Sequence, residues 1–192
     1  MAQVLVIYAH PVPHRSRVNR RLADTARALP GVTVRELYEA YPDFYIDVPA
    51  EQAAIAAADL LVFLHPLNWY SMPALLKEWF DTVLEPTWAY ASLGGALRNK
   101  TYWLAVTTGG EAEACDQAGI HCRPFSDFLA PFEQTAATCG MRWLEPHVLL
   151  AANTVDEEVV DDHVAGFRRR LESYAAAASL SAVEPDPALH HG

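Results

Sequence analysis

Five short runs of mainly apolar residues recur along the chain, separated by amphipathic segments. The runs cover residues 3–9, 32–37, 60–64, 100–106 and 143–150, and the first, third and fourth are almost continuous aliphatic or aromatic sequence. Such runs are typical of strands that are buried on both faces of a parallel sheet. Each run predicts a β-strand, and the last is the weakest of the five because Pro146 interrupts it.

The segments between the runs carry apolar residues at helical spacing. They predict helices over residues 17–29, 51–58, 73–84, 126–139 and 156–178, with Ser16 at or near the first N-cap and Gly140 as a C-terminal stop. Alternating strands and helices predict an α/β fold, a doubly wound, five-stranded parallel sheet of flavodoxin-like order 2-1-3-4-5. We expect one domain over residues 1–178 and a mobile tail over residues 179–192.

Three loops should emerge at the carboxyl edge of this sheet, where open α/β sheets bind ligands. The first loop offers a helix N-terminus, the hydroxyl group of Ser16, and the flanking side chains of Arg15 and Arg17. This combination suits a phosphate group. The alternative is that Ser16 only caps its helix. No dinucleotide fingerprint or Walker loop is present in the sequence.

The second and third loops have a different chemistry. Trp69 and Tyr70 offer ring faces to an aromatic ligand, although such a pair also commonly packs in a core. Thr107 and Thr108 precede Gly109-Gly110, whose backbone allows a flat ring to approach closely, unless the two glycines form an ordinary turn. Side by side, the three loops predict a pocket for flavin mononucleotide.

Composition and charge narrow the possible functions. A net charge of −10, with only 14 Lys and Arg, argues against a nucleic-acid partner or a basic membrane-binding face. No apolar run is long enough for a transmembrane helix and no signal peptide is evident, so a cytoplasmic protein is expected.

Histidines and cysteines raise two further possibilities. Four histidines, at positions 10, 14, 65 and 121, fall near one sheet edge, but they lack carboxylate or cysteine partners at ligand spacing, so no metal site is predicted. His65 is expected to be a packed, hydrogen-bonded residue. Three cysteines favour reduced thiols over disulfides. Cys115 and Cys122 flank His121, so a redox-sensing thiolate is an alternative to inert thiols.

Several longer motifs resemble one protein family in order and spacing over residues 4–150. They are YAHPVPHRSRVN, LYEAYPDFYIDV, HPLNWYSMPALLKEWFDTVL, WAY, TTGG and FLAPFEQTAATCGM. The sequence resembles the flavodoxin-like NAD(P)H:quinone oxidoreductases, and within them the bacterial ancillary proteins of glutathione-regulated potassium-efflux antiporters. The resemblance implies a homodimer, with the helix from Pro73 near the interface. It implies one flavin per subunit, FMN rather than FAD because the chain is short.

The resemblance also implies the site residues. Those at the ribityl phosphate are His10, Ser16, Arg17, Val18 and Asn19. Those at the ring system are Leu67, Asn68, Trp69, Tyr70, Thr107, Thr108, Gly109 and Gly110.

A catalytic histidine is implied at His121, although the family's tyrosine six residues earlier is Cys115 here. The implied reaction is two-electron hydride transfer from NAD(P)H through the flavin to a quinone or similar acceptor. The alternative is a regulatory subunit of a potassium-efflux antiporter, peripheral at the inner membrane, in which flavin is mainly structural. A role as a one-electron carrier, as in flavodoxin, is less favoured, because the wide third loop leaves room for a substrate above the flavin ring.

Overall fold

A parallel β-sheet forms the centre of the molecule. The computed structural model describes residues 2–90, 94–110 and 123–181, with side chains to residue 176. Within these ranges the strands are β1 (Val4–Tyr8), β2 (Val32–Glu36), β3 (Leu60–Pro66), β4 (Thr101–Thr107), β5 (Arg142–Trp143) and β6 (His147–Leu149). Their order is β2-β1-β3-β4-β5, with β6 also on β4, and every pairing is parallel. The predicted order 2-1-3-4-5 is confirmed.

The fifth predicted strand is two short strands. β5 pairs with the start of β4 at Thr101 and Tyr102, whereas β6 pairs with its end from Ala105 to Thr107. Pro146 lies between them and has no N–H to donate to β4, so the ladder is interrupted there. The prediction of one continuous strand over residues 143–150 was therefore wrong.

Helices cover both faces of the sheet. They are α1 (Asn19–Arg27), α2 (Leu37–Ala40), α3 (Val48–Ala57), α4 (Ala74–Val83), α5 (Pro86–Ala89), α6 (Ser126–Thr138) and α7 (Glu157–Ser181).

Two helix starts differ from the sequence predictions. α1 begins two residues later than predicted because a short 3-10 helix, Pro13–Arg15, precedes it; Ser16 ends that helix and stays close to the start of α1. α3 begins three residues earlier, where Asp47 Oδ1 accepts the Ala50 N–H at 3.0 Å.

Two other differences concern segments predicted to lack regular structure. The short helices α2 and α5 fall in segments predicted as loops. α7 extends to Ser181, so the segment predicted as a tail from residue 179 begins as helix. Residues 182–192 lie outside the described part of the chain.

Each face of the sheet has its own apolar core. On one face, Phe63 packs with Trp79 and Phe80 of α4, and both of these residues are buried. On the other face, Trp103 stacks on Phe167 of α7 at a ring-centroid distance of 5.0 Å. No helix in the described ranges is both long and apolar enough to span a bilayer.

The aromatic segment of residues 38–48 is held on its own chain through Tyr41. The Tyr41 hydroxyl donates to Glu51 Oε1 at 2.6 Å, and Glu51 is fully buried. Arg35 also binds Oε1, and Trp79 Nε1 donates to Oε2 at 3.0 Å. We call this group of four side chains the Glu51 network. It connects strand β2, helix α3 and helix α4 with Tyr41, the residue that follows α2. Further along the segment, Tyr45 stays 83% exposed.

Candidate functional site

The three loops singled out in the sequence meet at one edge of the sheet. They follow β1, β3 and β4, whose carboxyl ends are adjacent because the strands are parallel. The Leu67 N–H donates to Thr107 O at 2.8 Å, which joins the second loop to the third. Asn19 Nδ2 donates to Thr107 Oγ1 at 3.0 Å, which joins the start of α1 to the same residue. The predicted convergence of the loops is confirmed.

Two adjoining cavities lie among these loops. The larger, which we call the polar cavity, has a volume of about 350 Å³. Its lining includes the first-loop residues His10, Arg15, Ser16, Arg17, Val18 and Asn19, together with Leu67, Asn68, Thr107, Thr108, Gly109, Ala152 and Asn153. The smaller, the aromatic cavity, has a volume of about 200 Å³. It is lined by Leu67, Trp69, Tyr70, Thr108, Gly109, Gly110, Phe125 and Phe128.

The first loop supplies hydrogen-bonding groups and positive charge to the polar cavity. His10 Nδ1 accepts the Val12 N–H at 3.1 Å, and partial burial lowers the pKa of His10, so its ring is neutral at pH 7. Ser16 Oγ accepts the Arg20 N–H at 3.1 Å. The Arg15 side chain is exposed and forms no ion pair within the described part of the chain, so its charge is available to an anion.

Arg17 lines the polar cavity, but its guanidinium binds elsewhere. Nη1 donates to Val155 O at 2.7 Å and to Ala152 O at 3.3 Å. Nε donates to Glu157 Oε1 at 3.0 Å, and Nη2 lies 2.8 Å from the same oxygen. The Arg17 side chain is therefore bound to the segment after β6, a connection that the loop motif did not predict.

Asn19 is the most buried polar residue of the polar cavity, with 1% of its surface exposed. Its Oδ1 has no hydrogen-bond partner among the described residues. A buried amide oxygen without a partner is costly, so a donor from a ligand or water is expected to reach it.

A tight turn presents the aromatic residues of the second loop. Asn68 and Ser71 exchange backbone hydrogen bonds of 2.9 and 3.0 Å, and the two residues between them have left-handed backbones, with φ of 49° at Trp69 and 65° at Tyr70. Large side chains rarely adopt this conformation, and such strain concentrates at functional sites. Trp69 is 92% exposed, and Tyr70 lies 5.0 Å from Phe128 between ring centroids. Both residues line the aromatic cavity and neither belongs to the core.

The two cavities share Leu67, Thr108 and Gly109, so they form one cleft with a polar end and an aromatic end. This arrangement fits FMN, whose phosphate and ribityl hydroxyls require polar partners and whose ring system requires apolar contact. The unpartnered Oδ1 of buried Asn19 in the polar cavity adds to this fit.

Four residues of the cleft were missed in the sequence. Ala152 and Asn153 follow β6, and they were missed because the reasoning about strand ends was applied to the first, third and fourth strands and not to the fifth, whose predicted end at residue 150 lies next to the observed end of β6. Phe125 and Phe128 lie one turn apart at the start of α6, a spacing that resembles that of core residues.

Other residues singled out in the sequence lie apart from the cleft or outside the described ranges. His65 is fully buried, with Nδ1 3.0 Å from Pro66 O, and burial lowers its pKa to about 4, which confirms it as a packed, hydrogen-bonded residue. His14 lines a separate surface cavity with Glu36. His121, Cys115 and Cys122 lie outside the described residues. Among the residues that the structure does describe, no group of histidine, cysteine or acidic residues could hold a metal ion.

Comparison with known proteins identifies the family. A family model described as "Flavodoxin-like fold" matches residues 2–175. The glutathione-regulated potassium-efflux system ancillary protein KefF of Enterobacter sp. (strain 638) is 46% identical over 169 residues, 88% of this chain and 94% of that protein.

Two solved structures extend this likeness. General stress protein 14 from Treponema denticola, in complex with FMN, is 34% identical with a TM-score of 0.83, over 89% of this chain and 98% of that one. An NADPH-quinone reductase from P. pentosaceus is 26% identical with a TM-score of 0.78, over 88% and 96%. The chain therefore belongs to the flavodoxin-like fold family that includes the KefF ancillary proteins and NAD(P)H quinone reductases.

Proposed function

We propose that the protein is an FMN-dependent NAD(P)H:quinone oxidoreductase. The observation that carries this proposal is the pair of adjoining cavities, one polar and one aromatic, which share Leu67, Thr108 and Gly109. The structural relatives that bind FMN or are quinone reductases support the same cofactor and substrate class. When bound, FMN supplies the two-electron hydride chemistry, and the protein supplies binding, orientation and electrostatics.

The first loop would bind the phosphate end. Residues from Ser16 to Asn19 and His10 offer donors there, and Arg15 adds a positive charge. The turn at residues 67–70 and the third loop at residues 107–110 would hold the ring system. Backbone N–H groups in these two loops would stabilise negative charge on the reduced ring. A flat acceptor would lie in the aromatic cavity beside Tyr70 and Phe128.

A spectrum of the purified protein tests the cofactor. We expect visible flavin absorption, or its restoration when FMN is added, bleaching under anaerobic NADH or NADPH, and recovery of the absorption when a quinone is supplied. A protein that neither contains nor takes up FMN would contradict the proposal. The same titration compares NADH with NADPH and different quinones.

His121 would donate the proton to the reduced acceptor, a role carried over from the family resemblance. A histidine titrates near neutral pH and suits that task. We expect His121→Ala to lower the rate of quinone reduction by about 10²-fold while FMN still binds. An unchanged quinone rate would remove His121 from the mechanism.

A second function is favoured by the 46% identity to KefF. The protein would then act as an ancillary subunit of a potassium-efflux antiporter, cytoplasmic and peripheral at the inner membrane, with flavin mainly structural. Binding of the protein to such an antiporter would support this role. So would activation of the antiporter by a variant that binds FMN but no longer reduces quinones. Both functions are compatible with a homodimer, which sedimentation of the purified protein would test.

A further inference from the structure

The loop after β6, residues 150–156, forms a fourth wall of the cleft. Its backbone is bonded to the third loop: the Ala151 N–H donates to Gly110 O at 2.9 Å, and the Ala152 N–H donates to Thr108 O at 2.8 Å. Just before it, Leu149 O accepts the Thr108 N–H at 3.0 Å. The fourth loop is therefore placed directly against the residues that join the polar and aromatic cavities.

Arg17 ties the same loop to the first loop. It donates to the carbonyls of Ala152 and Val155 and forms an ion pair with Glu157, just after the loop. These contacts occupy Nε, Nη1 and Nη2 together. Releasing the guanidinium to reach a phosphate would break several charge-assisted hydrogen bonds. Arg17 is therefore better suited to fix the fourth loop than to bind the phosphate directly.

Asn153 is the side chain that this loop brings to the cleft. It lines the polar cavity, and a methyl group placed on Gly109 Cα would lie 3.4 Å from Asn153 Nδ2. Gly109 lines both cavities, so the Asn153 amide is near their junction. In a flavin whose phosphate occupies the polar end and whose ring occupies the aromatic end, the group at the junction is the hydroxyl-bearing ribityl chain.

We propose that Asn153 is a further cofactor-binding residue whose carboxamide hydrogen-bonds a ribityl hydroxyl, and that Arg17 is the positioning residue that fixes its loop. This inference rests on the proposed binding of FMN. It also changes the expected role of Arg17 from a phosphate ligand to a support for a neighbouring loop.

Three flavins separate the parts of the ligand: FMN, riboflavin, which lacks the phosphate, and lumiflavin, which lacks the ribityl chain as well. Their dissociation constants are measured by flavin fluorescence with the apoprotein. We expect Asn153→Ala to weaken FMN and riboflavin by the same factor, about three- to tenfold for one lost hydrogen bond, and to leave lumiflavin unchanged. Thr154→Ser is the matched control, since Thr154 does not line either cavity and serine retains the hydroxyl that donates to Ala151 O, and it should change none of the three.

Arg17→Ala tests the positioning role. We expect it to weaken FMN and riboflavin equally, and the double variant Arg17→Ala/Asn153→Ala to be no weaker than the more affected single variant, because both changes act on one contact. Arg21→Ala is the control: within the described part of the chain, Arg21 also pairs with Glu157, and with Asp161, but donates no hydrogen bond to the loop carbonyls. It should leave flavin affinity unchanged.

Each other outcome overturns part of the inference. If Asn153→Ala leaves riboflavin unchanged, or weakens lumiflavin as much as riboflavin, Asn153 does not bind the ribityl chain. If Arg17→Ala weakens FMN alone, Arg17 contacts the phosphate. Failure of the proposed FMN binding is distinguishable from both, because the unmodified protein would then bind neither FMN nor riboflavin. Loss of quinone reductase activity with flavin still bound would overturn the proposed reaction and leave the role of Asn153 to be decided by the three affinities.

Discussion

Trp69 has a strained local conformation that its packing in the folded chain does not compensate. Its backbone is left-handed, which destabilises the folded state at this position. Its indole is 92% exposed, so the side chain contributes little to the apolar core. The left-handed region costs a residue with a Cβ about 1–2 kcal/mol, whereas glycine adopts it freely. The presence of tryptophan there is consistent with a role for its ring face in the aromatic cavity.

We predict that Trp69→Gly separates stability from binding. Relief of backbone strain offsets the greater flexibility of glycine in the unfolded chain, so the free energy of unfolding should stay within about 1 kcal/mol of that of the unmodified protein. Affinity for FMN should fall at least about fivefold, because the ring loses an aromatic contact. Urea denaturation and flavin fluorescence measure the two quantities.

Asn99→Gly provides the comparison, because Asn99 is also left-handed, with φ of 66°, and lies away from both cavities. It should change neither stability nor FMN affinity appreciably. Equal loss of FMN affinity in the two variants would show that Trp69 acts only through general backbone flexibility. A loss of several kcal/mol in Trp69→Gly would instead make Trp69 a structural residue.

Among the secondary-structure elements, the Glu51 network explains how the helices on one face are fixed to one another. Its carboxylate accepts bonds from Arg35 in β2, from Tyr41 after α2 and from Trp79 in α4. Burial and the adjacent Glu51 carboxylate raise the pKa of Tyr41 to about 12, so its hydroxyl remains a donor at neutral pH. A buried charge is tolerated here because its oxygens have several donors.

We predict that Glu51→Ala lowers the free energy of unfolding by about 3 kcal/mol or more, because Arg35 is left without its buried counter-charge and Trp79 Nε1 without an acceptor. Glu51→Gln should lose less, since the amide oxygen still accepts one bond. Asp81→Ala removes only the exposed ion pair with Lys77 and should cost about 0.5 kcal/mol at most. Urea denaturation curves measure all three, and equal losses in Glu51→Ala and Asp81→Ala would show that the network contributes little.

The sequence predicted elements that depend on local pattern and missed those that depend on distant partners. Strands β1, β3 and β4 are continuous apolar runs, so their existence and order followed from periodicity and connection rules. The short helices α2 and α5 have no such period. The Glu51 network was also not predicted, because Arg35, Tyr41 and Trp79 converge only in the folded chain. The same reason hid the contact of Arg17 with the loop after β6.

At the scale of the whole molecule, three histidines are kept neutral by the fold. His65 is fully buried, and His147 and His163 stack on each other at a ring-centroid distance of 3.8 Å. Burial lowers the pKa of each of the three to about 4, and for His147 the neighbouring His163 and Arg170 contribute in the same direction. His163 Nε2 has no hydrogen-bond partner in the described part of the protein.

We predict that these histidines destabilise the protein in mild acid. Between pH 6.5, the ordinary histidine pKa, and about pH 4, the unfolded chain binds protons that the folded chain does not. Their contribution to stability is therefore complete above pH 6.5 and is lost as the pH falls towards 4. Urea denaturation at pH 7.5, 6.5, 5.5 and 4.5 measures the free energy of unfolding across this window.

The histidine contribution has to be separated from that of the net charge of −10, because protonation of carboxylates in acid also relieves repulsion. His163→Phe retains an aromatic ring for His147 to stack on and removes one titrating group, so its stability should fall less between pH 6.5 and 4.5 than that of the unmodified protein. His14→Gln replaces an exposed histidine and should follow the unmodified curve. If His163→Phe follows that curve as well, the stacked pair does not set the acid sensitivity.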